Sequence, residues 1–162
     1  MVYLDNAATT FPKPEAVYEA MDYANRNQAF NAGRGTYLAS KEAMRLIDKL
    51  KQKLIALVHA GSNAKVILTP SITIALNEII QGIVLSSGAN IYVSPYEHNA
   101  VARVVHLVEK RIGGVNVIEL PVEEETNEID LEKTKYMFAK NNPNLVCCNH
   151  MSNVTGYILP VK

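Results

Sequence analysis

Short apolar runs alternating with amphipathic stretches predict an α/β fold, a mainly parallel sheet flanked by helices. The runs at 66–68, 90–94, 115–118 and 145–148 are apolar at their centres, as strands covered on both faces are. Successive runs are separated by stretches of helical spacing long enough for crossover connections. Gly, Asn and Pro clusters fall between the two kinds of segment, where turns belong.

Taken in order, Pro12 and Pro14 flank Lys13 and open a helix from Glu15 to Arg26, with Val17, Met21 and Ala24 on one face. Asn31-Ala32-Gly33-Arg34-Gly35 reads as a loop. Ser40 is the expected N-cap of the next helix and Gly61 its expected stop. Between them Ala43, Ile47, Leu50, Leu54, Leu57 and Val58 form an apolar stripe, while Lys41, Arg45, Asp48, Lys49 and Lys53 face outward. A strand at 66–68 then leads into a mostly apolar helix from Ile72 to Leu85 and a strand at 91–93. A helix from Asn99 to Lys110, halted by Gly113-Gly114, precedes a strand at 115–118. Asp130 caps a short helix through Met137, and a final buried strand runs from Leu145 to Cys148.

Composition bounds the function. The 162 residues are 48% apolar and 20% charged, the balance of a globular domain with a real core. Sixteen basic side chains offset sixteen acidic ones, so no overall field favours nucleic acid or an anionic membrane. The apolar run from Ile72 to Leu85 holds Thr73, Asn77, Glu78 and Gln81 and is too short and too polar to span a bilayer. Asp5 and Asn6 interrupt the start where a signal peptide would need an unbroken apolar stretch. Cys147 and Cys148 are adjacent on an expected strand, point to opposite faces and suit a reducing cytoplasm. Cys148 and His150 lie two apart, but no second ligand pair has metal-site spacing, so no metal is expected.

Four segments carry candidate chemistry. Thr69-Pro70-Ser71-Ile72-Thr73 follows a strand and opens a helix, where unpaired N–H groups and the helix dipole attract an anion. Ser and Thr also open helices simply as caps. Glu97-His98-Asn99-Ala100 delivers an imidazole to the carboxyl end of a strand, the edge where ligands bind in open α/β sheets. The plainer reading makes Asn99 a cap and His98 a loop residue. Ser152-Asn153-Val154-Thr155-Gly156 brings an amide and a hydroxyl to the same edge, or is a polar turn with Gly156 at positive φ. The fourth segment is the N-terminus: Asp5-Asn6-Ala7-Ala8-Thr9-Thr10, then Asn31 to Gly35 with Ser40.

In this order and wording the motifs resemble the pyridoxal-phosphate enzymes of the class V aminotransferase and cysteine desulfurase family. The resemblance covers essentially the whole chain but less than half of a family member. It implies part of the large domain of a fold-type I transferase: residues 1–35 an N-terminal arm and first helix, 36–162 the first half of the cofactor-binding domain. By the same resemblance, Ile72 and Thr73 hold the cofactor phosphate. Bulky Ile72 and Ser71 depart from the family's small residue and glycine there. His98 lies against the pyridine ring and handles protons, and Asn153 donates to the ring's phenolic oxygen. Glu97 and Asn99 orient their loop. Ala7 and Ala8 belong to an opening that folds over the substrate side, and Arg34 is a candidate for a substrate carboxylate, with a surface or interface role equally open.

The implied activity is cysteine desulfuration of a small amino-acid substrate by a homodimer. Another class V aminotransferase, a lyase such as a selenocysteine lyase, and a non-catalytic cofactor-binding or dimerisation module remain alternatives. The family's Schiff-base lysine follows a His, and its pyridine-nitrogen aspartate also lies beyond the Asn-Val-Thr-Gly motif. No His-Lys pair occurs in these residues, so by themselves they are expected to be inactive.

Overall fold

Three parallel strands form the sheet in the order β2-β1-β3, with β1 spanning Asn90–Val93, β2 Asn116–Glu119 and β3 Leu145–Cys147. The computed structural model describes residues 2–6, 8–61 and 63–161. It divides into two units, Met1–Leu68 and Thr69–Lys162, the second of which holds the sheet.

In the second unit, helix α3 (Ile72–Gly82) precedes β1, α4 (Asn99–Ile112) links β1 to β2, and α5 (Leu131–Lys140) leads to β3. Alternation along β1 divides the core. Ile91 and Val93 face one side, where Ile80 of α3 and Val101, Val104, Val105 and Val108 of α4 pack on them. Tyr92 faces the other, against Leu120, Ile129, Leu159 and Phe138. Ile91 and Tyr92 are both 0% exposed, so the central strand is sealed on both faces. At the amino edge asparagines fix the register: the Asn90 N–H donates to Asn144 Oδ1 at 2.9 Å, and Asn116 Nδ2 to Asn90 Oδ1 at 3.0 Å.

Several expectations are corrected here. No strand forms at 66–68; the segment pairs with no strand among the described residues, and Ile67 is exposed. The helix expected through Leu85 stops at Gly82, where Ile83 turns extended. The last strand is not buried. It is a sheet edge, with Val146 and Cys148 exposed, because nothing among the described residues covers them.

The first unit holds α1 (Glu15–Asn27) and α2 (Leu38–Leu57). Ser40 is not the cap of α2, which begins after Tyr37. Its buried hydroxyl instead donates to Asn31 O at 2.8 Å and accepts from the Gly35 N–H at 3.2 Å. Gly61 does not end α2 either; the helix closes at Val58, and His59 takes the left-handed conformation (φ 50°). Of the apolar stripe only Ala43 is buried, while Leu50, Leu57 and Val58 stay exposed.

The Tyr92 hydroxyl reaches the carbonyl oxygens of Met137 (3.1 Å) and Asn141 (2.9 Å) and so closes the C-terminus of α5 onto the sheet. Tyr92→Phe keeps the ring and removes the donor to the Asn141 carbonyl, while Met137 O keeps the Asn141 N–H, so it should destabilise by about 1–3 kcal/mol. Urea unfolding checks this; a midpoint equal to wild type would show that the hydroxyl holds nothing.

Candidate functional site

Helices α3 and α4 lie side by side in the same direction. Arg111, near the end of α4, donates to the Gln81 carbonyl at 3.3 Å and to Gln81 Oε1 at 3.4 Å, near the end of α3. Both N-termini therefore point toward the carboxyl edge of the sheet, where α4 starts directly after β1. This places Thr73 and His98 on one side of the molecule. β3 delivers Asn153 to the same edge.

At the start of α3, Ser71 is the N-cap and its hydroxyl accepts from the Ile74 N–H at 3.2 Å. The first-turn amides of Ile72 and Thr73 have no intrahelical acceptor. Among the described residues the Thr73 hydroxyl makes no hydrogen bond, and Ile72 is turned out to solvent. The departure at Ile72 thus leaves the backbone amides open, and the donor set suits a phosphate.

At the end of β1, Ser94 to Glu97 forms a turn closed by the Glu97 N–H to Ser94 O bond, with Pro95 at its second position. His98, not Asn99, is the N-cap of α4: its Nδ1 accepts from the Ala100 N–H at 3.1 Å. An accepting Nδ1 leaves the neutral ring's proton on Nε2. The ring is exposed, with its tautomer set from behind.

Asn153 sits in a hairpin closed by the Met151–Ile158 bridge and the Ser152 N–H to Tyr157 O bond. Gly156 has φ 73°, which a residue with a Cβ rarely adopts. Buried Ser152 accepts from the Val154 and Thr155 N–H groups, each at 3.3 Å. The Asn153 side chain is exposed and makes no hydrogen bond among the described residues. Asn149 and the Tyr96–Tyr157 pair, with ring centroids 5.2 Å apart, also build this edge and belong to no motif in the sequence. Each is an ordinary polar or aromatic residue locally, and its partner is distant in the chain.

The loops are tied together. Glu97 Oε1 accepts from the Ser94 hydroxyl at 2.7 Å and from the Asn149 N–H at 2.6 Å. The Asn149 side-chain amide donates to Tyr96 O at 2.7 Å and Met151 O at 3.2 Å, leaving its Oδ1 buried without a donor, a loss of about 1–3 kcal/mol. An apolar cavity of about 400 Å³ lies elsewhere, lined by Leu120, Phe138, Val146 and Cys148 among others; Thr73, His98 and Asn153 do not line it.

Arg34 and Ala8 belong to the first unit, and Ala7 lies outside the described residues. The Arg34 loop is pinned by Ser40, and a side chain at Gly35 would meet the Ser40 Cβ at 2.8 Å. The Arg34 guanidinium is exposed and makes no hydrogen bond among the described residues. No cluster of metal-ligating side chains occurs among the described residues, and no helix there is long and apolar enough to cross a membrane.

A parallel sheet with helix N-termini and hairpins gathered at its carboxyl edge defines the α/β class of ligand-binding domain. A family profile described as Aminotransferase class-V matches residues 2–162, and the chain belongs to that family. It is 33% identical to a probable cysteine desulfurase of Halalkalibacterium halodurans, aligned over 100% of this chain and 40% of that protein. Against a probable cysteine desulfurase of Pseudomonas aeruginosa the identity is 30%, over 99% and 40%. The apo structure of a cysteine desulfurase from Thermococcus onnurineus superposes with a TM-score of 0.87 at 25% identity, over 99% of this chain and 39% of that one. The chain thus spans about 40% of the length of the relatives it matches.

Cys147 and Cys148 are both free thiols. Burial, and then the carboxylate of Glu97 and the neighbouring Cys148, push the Cys147 thiol up to about 11; burial and Glu97 also raise Cys148. A raised value favours the neutral thiol, so at pH 8 only roughly one Cys147 in a thousand is thiolate. Iodoacetamide should label Cys147 slowly at pH 8, with the rate climbing about tenfold per pH unit toward pH 11. Glu97→Gln should move that rise to lower pH. A rate that levels off near pH 8 would contradict the assignment.

Proposed function

We propose that this chain supplies cofactor-holding residues of a pyridoxal-phosphate-dependent cysteine desulfurase. What supports the reading most is one juxtaposition: open α3 amides with the Thr73 hydroxyl, the exposed His98 ring and the unbonded Asn153 amide all stand on the carboxyl-edge side of one sheet. Among the described residues these donors have no internal partners. Kinship to cysteine desulfurases favours sulfur removal from cysteine over selenocysteine cleavage, aminotransfer or a non-catalytic role.

When bound, pyridoxal phosphate supplies an electron sink for carbanion chemistry at the amino acid. The chain's own residues hold and orient it. The Ile72 and Thr73 amides, with the Thr73 hydroxyl and the α3 dipole, neutralise the phosphate. His98 offers a flat ring with its proton on Nε2, available to a group on its solvent side. Asn153 gives an uncharged N–H donor to the phenolic oxygen. In the first unit, the Arg34 guanidinium is suited to a substrate carboxylate through paired hydrogen bonds.

The organisation that goes with this reading is residues 1–35 as arm and first helix and 36–162 as the first half of the large domain. The lysine and aspartate needed for turnover are not identified in these residues, which alone hold the cofactor without completing the reaction. With protonated thiols, Cys147 and Cys148 are poor sulfur acceptors. Exposed Leu46, Leu50 and Leu57 on α2 favour a homodimer, and the free cysteines favour the cytoplasm.

Absorbance titrations with pyridoxal phosphate test the assignment in the full-length protein. Thr73→Ala should weaken retention by about 1.5–3 kcal/mol, roughly ten- to a hundredfold. His98→Ala should disturb the cofactor's spectrum and slow turnover, and Asn153→Ala should shift the pH at which that spectrum titrates. Unchanged affinity and spectra in all three would remove the reading.

A further inference from the structure

The geometry points to Glu97 as a positioning residue whose carboxylate, with Asn149, fixes the His98 turn against the Asn153 hairpin. The inference rests on the cofactor reading above and extends it to a residue that touches no ligand. Two hydrogen bonds join segments more than fifty positions apart, Asn149 N–H to Glu97 Oε1 and Asn149 Nδ2 to Tyr96 O, and a third, Asn149 Nδ2 to Met151 O, holds the segment after β3 to itself. The first is a charge-assisted bond of 2.6 Å and so among the strong ones. The same oxygen holds the Ser94 hydroxyl, which braces the turn from its other end.

The chain positions follow directly. His98 is the next residue after Glu97, and its cap bond to Ala100 begins one residue later. Asn153 lies two residues beyond Met151, whose carbonyl Asn149 grips. The backbone alone joins the strands only as far as Ser94 N–H to Cys147 O. Beyond that rung, hydrogen bonding between the turn and the post-β3 segment runs, among the described residues, through these side chains. The unpaired Asn149 Oδ1 follows from the same arrangement: the amide must face two carbonyls with its NH2, which turns its oxygen into a site without a donor. A buried defect of that kind is retained where the surroundings over-determine the geometry.

The test uses the full-length protein with Glu97→Ala and Glu97→Gln, beside His98→Ala and Asn153→Ala. In the apo protein, the wild-type Asn149 amide proton should resonate far downfield, as a short bond to a carboxylate requires. Glu97→Ala should return it to the ordinary range and shift the amides of His98 and Asn153 together. With pyridoxal phosphate bound, Glu97→Ala should weaken affinity about tenfold or more and change the visible circular dichroism of the cofactor. Glu97→Gln keeps an acceptor oxygen and should recover most of both, to within about threefold. If Glu97→Ala does not fold, Glu97→Gln carries the test through the Asn149 amide, which should move upfield because a neutral acceptor replaces the carboxylate; an unmoved resonance overturns the link. Wild-type dichroism and affinity in the Glu97 variants, with His98→Ala and Asn153→Ala affected, would overturn the positioning role while leaving the cofactor reading intact. If none of the four variants alters the cofactor signal, the cofactor reading fails; the link between the two turns is then judged in the apo protein, where an unmoved Asn149 resonance overturns it.

Discussion

Strand β1 is hydrogen-bonded on both sides, to β2 and β3, and its two central residues are shut off from water on both faces. Ile91 commits one face to α3 and α4, and Tyr92 commits the other to Leu120, Phe138 and Leu159. A slip of one residue would exchange these faces and put the Tyr92 hydroxyl among valines. The asparagines at its amino end forbid that slip through side-chain bonds to both neighbours. With β1 fixed, its carboxyl end is fixed too, and the Ser94–Glu97 turn, the start of α4 and the hairpin after β3 are all hung from that edge. The fold's most constrained element thus sets the position of its least satisfied polar groups.

The chemistry read from those groups is one of preorganised donors. His98 is oriented by a backbone amide rather than by an acidic side chain, so its tautomer is set without adding a negative charge beside the ring. Glu97, the nearby carboxylate, is turned to Ser94 and Asn149 instead. Its charge is felt on the β3 side, where it helps keep Cys147 and Cys148 protonated. Burial is the larger cause of that protonation, and the direction Glu97 faces adds to it.

Local patterns in the sequence were enough to find the helices but not all of their ends: Glu15 and Asn99 start α1 and α4, and Asp130 caps α5 through the Lys133 N–H, whereas α2 and α3 end earlier than their apolar spacing suggests. The three strands that pair were legible as apolar runs. The run at 66–68 has the same local pattern but no partner among the described residues, and pairing is not a local property. Ser40 failed as a cap because a tertiary bond to Asn31 claimed its hydroxyl. Thr73, His98 and Asn153 could be proposed as site residues because each belongs to a short motif at a strand or helix end. Asn149 and the Tyr96–Tyr157 pair were not, since their partners are far off in the chain.

The central claim is that the sheet's carboxyl edge, and no other surface, receives the cofactor. Amide chemical-shift mapping with ¹⁵N-labelled protein and increasing pyridoxal phosphate tests it most directly. Saturable shifts should concentrate at Ile72, Thr73, His98 and Asn153, with the Asn90, Asn116 and Asn144 amides at the opposite edge unmoved. Shifts centred on the amino edge, or on the cavity beside Val146 and Phe138, would contradict the account.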